Sequence, residues 1–265
     1  MIGVRRLPPD FHAWNERYGA PFGRPDPNRW VKRLLTWSML QRHRGPFSFQ
    51  PNNTLRTFEY PWAYGVVPIE PGMRVLEIGG GLGGFQFVLD GMKCHVVNVD
   101  PGMEANGVGW QCDPERMATL NKLFGASVEL RNTTIEKAGL ESESFDCAYS
   151  ISVIEHLPDG EISDVMQHVY RVLKPGGFFV LTVDLFLNLQ PFTSRESNEY
   201  GRNIDVRALA ESAPFRLSTG DRAELYGYPE FDKDRIQSQL ERYFVGVYPA
   251  LTQCLVLQKP ASKAS

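Results

Sequence analysis

Five glycines fall within the six positions 79–84, directly after the short apolar run Met73–Ile78 and directly before Phe85. Glycines tolerate positive φ and let the backbone approach a ligand with no Cβ in between, while a helix starting at such a turn presents unpaired N–H groups. A strand, a glycine turn and a helix in that order make the first unit of an α/β sheet. The pattern continues downstream. Strand-like segments are read at 73–78, 95–99, 128–130, 145–151, 178–183, 215–219 and 252–257, and helical ones at 85–90, 114–124, 160–173 and 204–212. The helix at 160–173 carries Ile162, Val165, Met166, Val169, Tyr170 and Leu173 at a 3.6-residue period and stops at Lys174-Pro175-Gly176-Gly177.

The chain has 265 residues, 42% of them apolar and 22% charged, so it can bury a sizeable core. Its net charge of −3 contains no long block of like charge, so nucleic acid is not an expected partner. No apolar run is long enough to span a bilayer and Met1–Trp14 has no export signal, so the expectation is a cytoplasmic protein without a membrane partner. The four cysteines, Cys94, Cys112, Cys147 and Cys254, form no CxxC pair, so they read as reduced thiols rather than as a disulfide framework or metal site. Residues 1–67 are rich in Pro, Arg and aromatics and read as a partly helical appendage or lid, with the main domain at 68–265. Within the appendage, Trp30–Met39 places Trp30, Leu34 and Trp37 on one helical face, which predicts packing against something larger.

The glycines alone leave two ligands open, because Gly79, Gly81 and Gly84 also satisfy the dinucleotide fingerprint GxGxxG. Glu77 separates them: a fixed negative charge suits the ammonium of an amino-acid cofactor and repels a pyrophosphate. Asp100 closes the second strand, where a carboxylate can accept ribose hydroxyls. With Glu77, Gly79, Gly81 and Gly83 forming E-x-G-x-G-x-G, Asp100 following, then FDCAYSISVIEHLPD at 145–159 and LKPGG at 173–177, the sequence resembles the class I S-adenosylmethionine-dependent methyltransferases over roughly residues 70–185. The resemblance implies a Rossmann-like, doubly wound, mostly parallel seven-stranded sheet with an antiparallel C-terminal strand. It also implies S-adenosylmethionine held by Glu77, the three glycines, Asp100, Met103 on the adenine face, Ser150 on the fourth strand, and Thr134 with Ile135 near the adenine edge. Relatives place an acid where Thr134 stands, and some carry an E-x-x-E-H metal segment whose first acid is replaced here by Ser152; no metal is expected.

Methyl transfer needs mainly an aligned acceptor and excluded water. For a hydroxyl acceptor, His156 after the fourth strand is the candidate base, with a loop-filling role as the alternative, and Asp184 after the fifth strand can orient a polar acceptor. The insertion at 186–203 is placed to build the acceptor pocket, with Tyr200, Arg202 and Asn203 facing the substrate. The expected reaction is methylation of O or N on a small polar molecule such as a sugar, a glycosylated metabolite or a natural-product intermediate. An NAD(P)-dependent oxidoreductase and a non-catalytic binding protein are the alternatives, and oligomeric state is left open.

Overall fold

The computed structural model describes residues 1–102 and 112–261. Seven strands form one sheet: β1 (Arg74–Ile78), β2 (His95–Val99), β3 (Glu129–Arg131), β4 (Phe145–Ile151), β5 (Leu173–Phe186), β8 (Arg216–Thr219) and β9 (Ala250–Gln258). Their order is β3-β2-β1-β4-β5-β9-β8, and β9 alone runs antiparallel to its neighbours. The chain reverses direction across the sheet between β1 and β4, so the C-terminal ends of β1, β2, β4 and β5 open on a common crevice. A separate two-stranded ribbon, β6 (Ser197–Asn198) and β7 (Gly201–Arg202), stands in the segment after β5.

Helices α1 (Pro9–Tyr18), α2 (Arg29–Leu34), α3 (Trp37–Arg44) and α4 (Arg56–Gly65) precede the sheet. Then come α5 (Phe85–Gly91), α6 (Pro114–Phe124), α7 (Asp159–Val172), α8 (Val206–Glu211) and α9 (Lys233–Ser238). Local chemistry explains the sharpest boundaries. At α6, the Asp113 side chain accepts the Arg116 N–H, Pro114 occupies the first turn where its missing N–H costs nothing, and Gly125 takes the left-handed exit. The period read at 160–173 buries Ile162, Met166, Val169 and Val172 against one face of the sheet.

Strand alternation divides the core. Val75, Cys147, Tyr149 and Val180 face one side and Leu76, Ala148, Phe179 and Leu181 the other. The first side is covered by residues 1–67. Tyr60 stacks on Phe85 at 5.6 Å, Phe85 meets Tyr149 edge-on at 5.2 Å, and Phe47 lies 5.0 Å from Tyr60. Leu55, Phe58 and Ala63 are fully buried, and Ile2 bridges to Gln253 on β9. The segment therefore shares the core of the sheet.

Two expectations are corrected here. Trp30–Met39 is not one helix: Leu35 turns extended, and Thr36 accepts the Met39 N–H to start a second helix. None of its apolar side chains is buried, so the predicted packing is absent. The second concerns Asp184, which lies inside β5 rather than after it. β9 supplies antiparallel partners as far as Phe186↔Ala250, which extends the strand past Val183.

Candidate functional site

Glu77, next to last in β1, lies beside Asn98 of β2, and after Ile78 the chain enters the glycine turn. Gly79 and Gly81 adopt φ of 68° and 54°, and a Cβ on Gly79 would sit 2.5 Å from the Val153 side chain. A Cβ on Gly83 would lie 2.8 Å from the Gly80 carbonyl oxygen, so side chains are excluded by space as well as by conformation. Two buried amides hold the turn. Asn98 Nδ2 donates to the Gly81 carbonyl at 2.8 Å and to Gln86 Oε1 at 3.1 Å, while Gln86 Nε2 donates to the carbonyls of Gly81 and Gly83.

The acids flank this turn. Asp100 accepts the Gly81 N–H on Oδ2 and the Gly102 N–H on Oδ1, both at 2.7 Å, which leaves a lone pair on each oxygen for a further donor. Burial raises its pKa against the pull of those two N–H groups. Glu77 is buried and its Oε2 has no hydrogen-bond partner among the described residues. Burial, then the nearby Asp100 charge, pushes its pKa up to about 8. A buried, unpaired carboxylate is costly unless a cation meets it. The same condition holds for Ser150 Oγ on β4 and Thr134 Oγ1 after β3, both buried and unpartnered among the described residues. Ile135 packs its side chain into the core. Met103 lies outside the described residues.

At the ends of β4 and β5 a second polar cluster is buried. Glu59, Glu155 and Asp184 are inaccessible to solvent, with Arg56 as the cation among them. Arg56 donates to Glu59 and, at 2.7 Å, to Ser152 Oγ. Ser152, at φ 46°, donates to Glu59 at 2.8 Å and lies 3.3 Å from Asp184 Oδ1, and Thr252 donates to Glu59 at 2.5 Å. Tyr248 donates to Asp184 Oδ2 at 2.9 Å, and its hydroxyl oxygen accepts from Asn53 at 2.7 Å. Burial and mutual repulsion raise the pKa values of Asp184 and Glu155; Arg56 opposes both shifts. Tyr60, whose pKa is raised chiefly by burial, lies within electrostatic reach of both Arg56 and Glu77.

His156 follows on the 3₁₀ turn Ile154–His156 and is exposed, unlike its neighbour Glu155. Desolvation lowers its pKa from the ordinary 6.5 against the pull of Asp184 and a hydrogen bond to the backbone of Tyr200. Tyr200, in the β6–β7 turn, stacks on Tyr248 with ring centroids 4.4 Å apart. Arg202 Nη2 donates to the Leu157 carbonyl at 3.2 Å. Asn203 spends its amide on backbone: Oδ1 accepts the Phe186 N–H, and Nδ2 donates to the Phe186 and Gln190 carbonyls, so it braces the insertion. Among the described residues no three His, Cys, Asp or Glu side chains group as metal ligands.

Sequence reasoning missed Gln50, Arg56, Glu59, Asn98 and Tyr248. Gln50 Oε1 accepts the Leu82 N–H at 2.7 Å, which brings residues 1–67 onto the glycine turn. A signal existed for two of these residues, because Glu59 sits between Phe58 and Tyr60 and Asn98 inside an apolar strand. A cavity of about 260 Å³ at the start of β1–β3, lined by Arg74, His95 and Glu129, lies at the other edge of the sheet.

Residues 76–181 match the family described as a methyltransferase domain. This segment is a class I methyltransferase domain. The chain is 40% identical over 164 residues to a ubiquinone biosynthesis O-methyltransferase of Hahella chejuensis, covering 56% of this chain and 64% of that protein. It is 33% identical over 118 residues to the protein of that name from Rhizobium etli, covering 44% and 43%. The chain thus spans between 43% and 64% of the length of these two relatives. Among solved structures, the [4+2]-cyclase SpnF superposes with a TM-score of 0.54 at 14% identity, covering 77% of this chain and 81% of that one. The likeness is one of fold.

Proposed function

We propose that the protein is an S-adenosylmethionine-dependent methyltransferase acting on a hydroxyl of a small polar ring compound. That class includes the sugars and natural-product intermediates expected from the sequence. The observation that carries the cofactor assignment is Glu77 Oε2, a buried carboxylate oxygen without a partner among the described residues, beside a glycine turn and Asp100. Glu77 would take the cofactor's ammonium, Asp100 its ribose hydroxyls, and Ser150 and Thr134 further polar edges. A pyrophosphate would hold Glu77 in its protonated form, whereas a cation lets the buried carboxylate ionise against a partner, which favours the sulfonium amino acid over the nucleotide oxidoreductase reading. When bound, the cofactor supplies an electrophilic methyl on a sulfonium.

The protein's own part is to place the acceptor, exclude water and take a proton. His156 is accessible, and its lowered pKa keeps the imidazole neutral at pH 7, so the ring nitrogen not donating to the Tyr200 backbone can receive the acceptor's proton. In its ionised form Asp184 would stabilise the imidazolium that results, since a carboxylate there favours the protonated ring. Tyr200 and Tyr248 offer an aromatic wall for the ring. An oxygen acceptor is favoured by the two relatives described above, whose names are those of O-methyltransferases. The test is a turnover screen of hydroxylated ring compounds with labelled cofactor. His156→Ala should lower kcat by about 10²-fold and leave cofactor affinity unchanged. Cofactor binding without turnover on any hydroxyl, with turnover on amines, would refute the acceptor assignment.

A further inference from the structure

Among the described residues the α2–α3 hairpin groups five exposed large apolar side chains, Trp30, Val31, Leu34, Trp37 and Met39, with Trp30 74%, Leu34 83% and Trp37 61% exposed. Singly exposed apolar residues need no explanation, but a cluster of this size does. At about 100° per residue, Trp30, Val31 and Leu34 share one arc of α2, and Arg29, Lys32 and Arg33 occupy the opposite arc. Residues 20–50 hold six basic side chains and one acid, a local charge of +5 in a chain whose total is −3. The lone acid, Asp26, is already paired with Lys32 and Arg44, and Arg33 lies over the Trp30 ring at 5.4 Å.

We propose that this hairpin docks the protein on the surface of an anionic lipid bilayer. Tryptophan with aliphatic residues on one arc and arginine or lysine on the other is the composition that settles at the headgroup boundary. The cations meet lipid phosphates from the polar layer while the apolar arc enters the headgroup boundary below them. A second copy of the chain is a poor occupant, because a two-fold contact would set one +5 surface against another. Single-stranded nucleic acid is disfavoured by Val31 and Leu34, which have no face on which bases stack. The expectation from sequence that no membrane is involved rested on the length of apolar runs. Among the described residues no helix is long and apolar enough to cross a membrane, which is compatible with lying on one.

The experiment is co-sedimentation of the full chain with sucrose-loaded vesicles of phosphatidylcholine, with and without about one third phosphatidylglycerol, followed by tryptophan fluorescence. Binding to the anionic vesicles, weakened by salt and accompanied by a blue shift, is expected. Trp30→Ser, Leu34→Ser and Trp37→Ser combined should reduce partitioning at least tenfold, and Arg29→Gln, Lys32→Gln and Arg33→Gln about fivefold per charge. All six side chains are solvent-facing, and unchanged circular dichroism would show that the variants fold. Equal binding by the variants, or no preference for the anionic lipid, would overturn the proposal. So would a dimer in light scattering that the Ser variants dissolve, or tight binding of a single-stranded oligonucleotide in place of vesicles.

Discussion

Glu77→Gln keeps the shape of the side chain and removes its titration, so it isolates the charge assigned to the cofactor's ammonium. The folded protein without ligand holds the Glu77 proton up to about pH 8, whereas the ordinary value for the group is 4.5. Folding therefore takes up a proton between these values, and the stability that Glu77 permits at acid pH is lost as pH rises through the window. The full difference is on the order of 4–5 kcal/mol. Above pH 8 the variant should be more stable than the parent by that order, roughly 10 °C in Tm, and at pH 4.5 the two should coincide. Cofactor affinity should move the other way. Binding a cation fixes the ionised carboxylate, so the parent releases a proton on binding and its affinity rises with pH toward 8, by up to tenfold per unit. The variant should bind weakly with a flat profile. Differential scanning fluorimetry at both pH values and calorimetry in buffers of different ionisation enthalpy read these effects. Equal Tm values at pH 8.5, or proton release that persists in Glu77→Gln, would refute the reasoning.

Asp100→Ala removes both the ribose acceptor and the bonds that hold the Gly81 and Gly102 N–H groups, so calorimetry should show cofactor affinity falling by about 10²-fold or more. Arg56→Met leaves Glu59, Glu155 and Asp184 buried without their cation; urea unfolding should show a loss of about 3–5 kcal/mol, larger at pH 8 than at pH 5.5 because the carboxyls with raised pKa values ionise as pH rises. Phe58→Ala opens a cavity between the N-terminal segment and the sheet and should cost about 3–5 kcal/mol in the same assay. Tyr200→Ala removes the stacked ring over Tyr248, and steady-state kinetics should show acceptor KM rising severalfold with kcat within about twofold.

The sheet was legible because its strands are short, apolar and separated by helices that announce themselves. His95–Val99, Phe145–Ile151 and Pro114–Phe124 fall where the pattern places them, the last because Asp113, Pro114 and Gly125 mark both of its ends. The turn at 79–84 was legible because both its conformation and the space around it require glycine. What local pattern cannot show is pairing across long separations. β5 runs on to Phe186 only because β9 lies beside it, and Tyr248 reaches Asp184 across 64 residues. The Arg56–Glu59 pair is buried only because β4, β5 and β9 close over it, which i,i+3 spacing alone does not announce. The hairpin from Arg29 to Arg44 misled for the opposite reason: amphipathic spacing says which residues share a face and says nothing about what covers that face.

The central claim is that the crossover between β1 and β2 holds a sulfonium amino acid joined to a nucleoside. A crystal structure with S-adenosylhomocysteine tests it most directly. The account predicts the ligand's amino group on Glu77 Oε2 and its ribose hydroxyls on Asp100, with calorimetry giving one site per chain. A crevice that takes up NADH instead, with its pyrophosphate against the glycine turn, would contradict it.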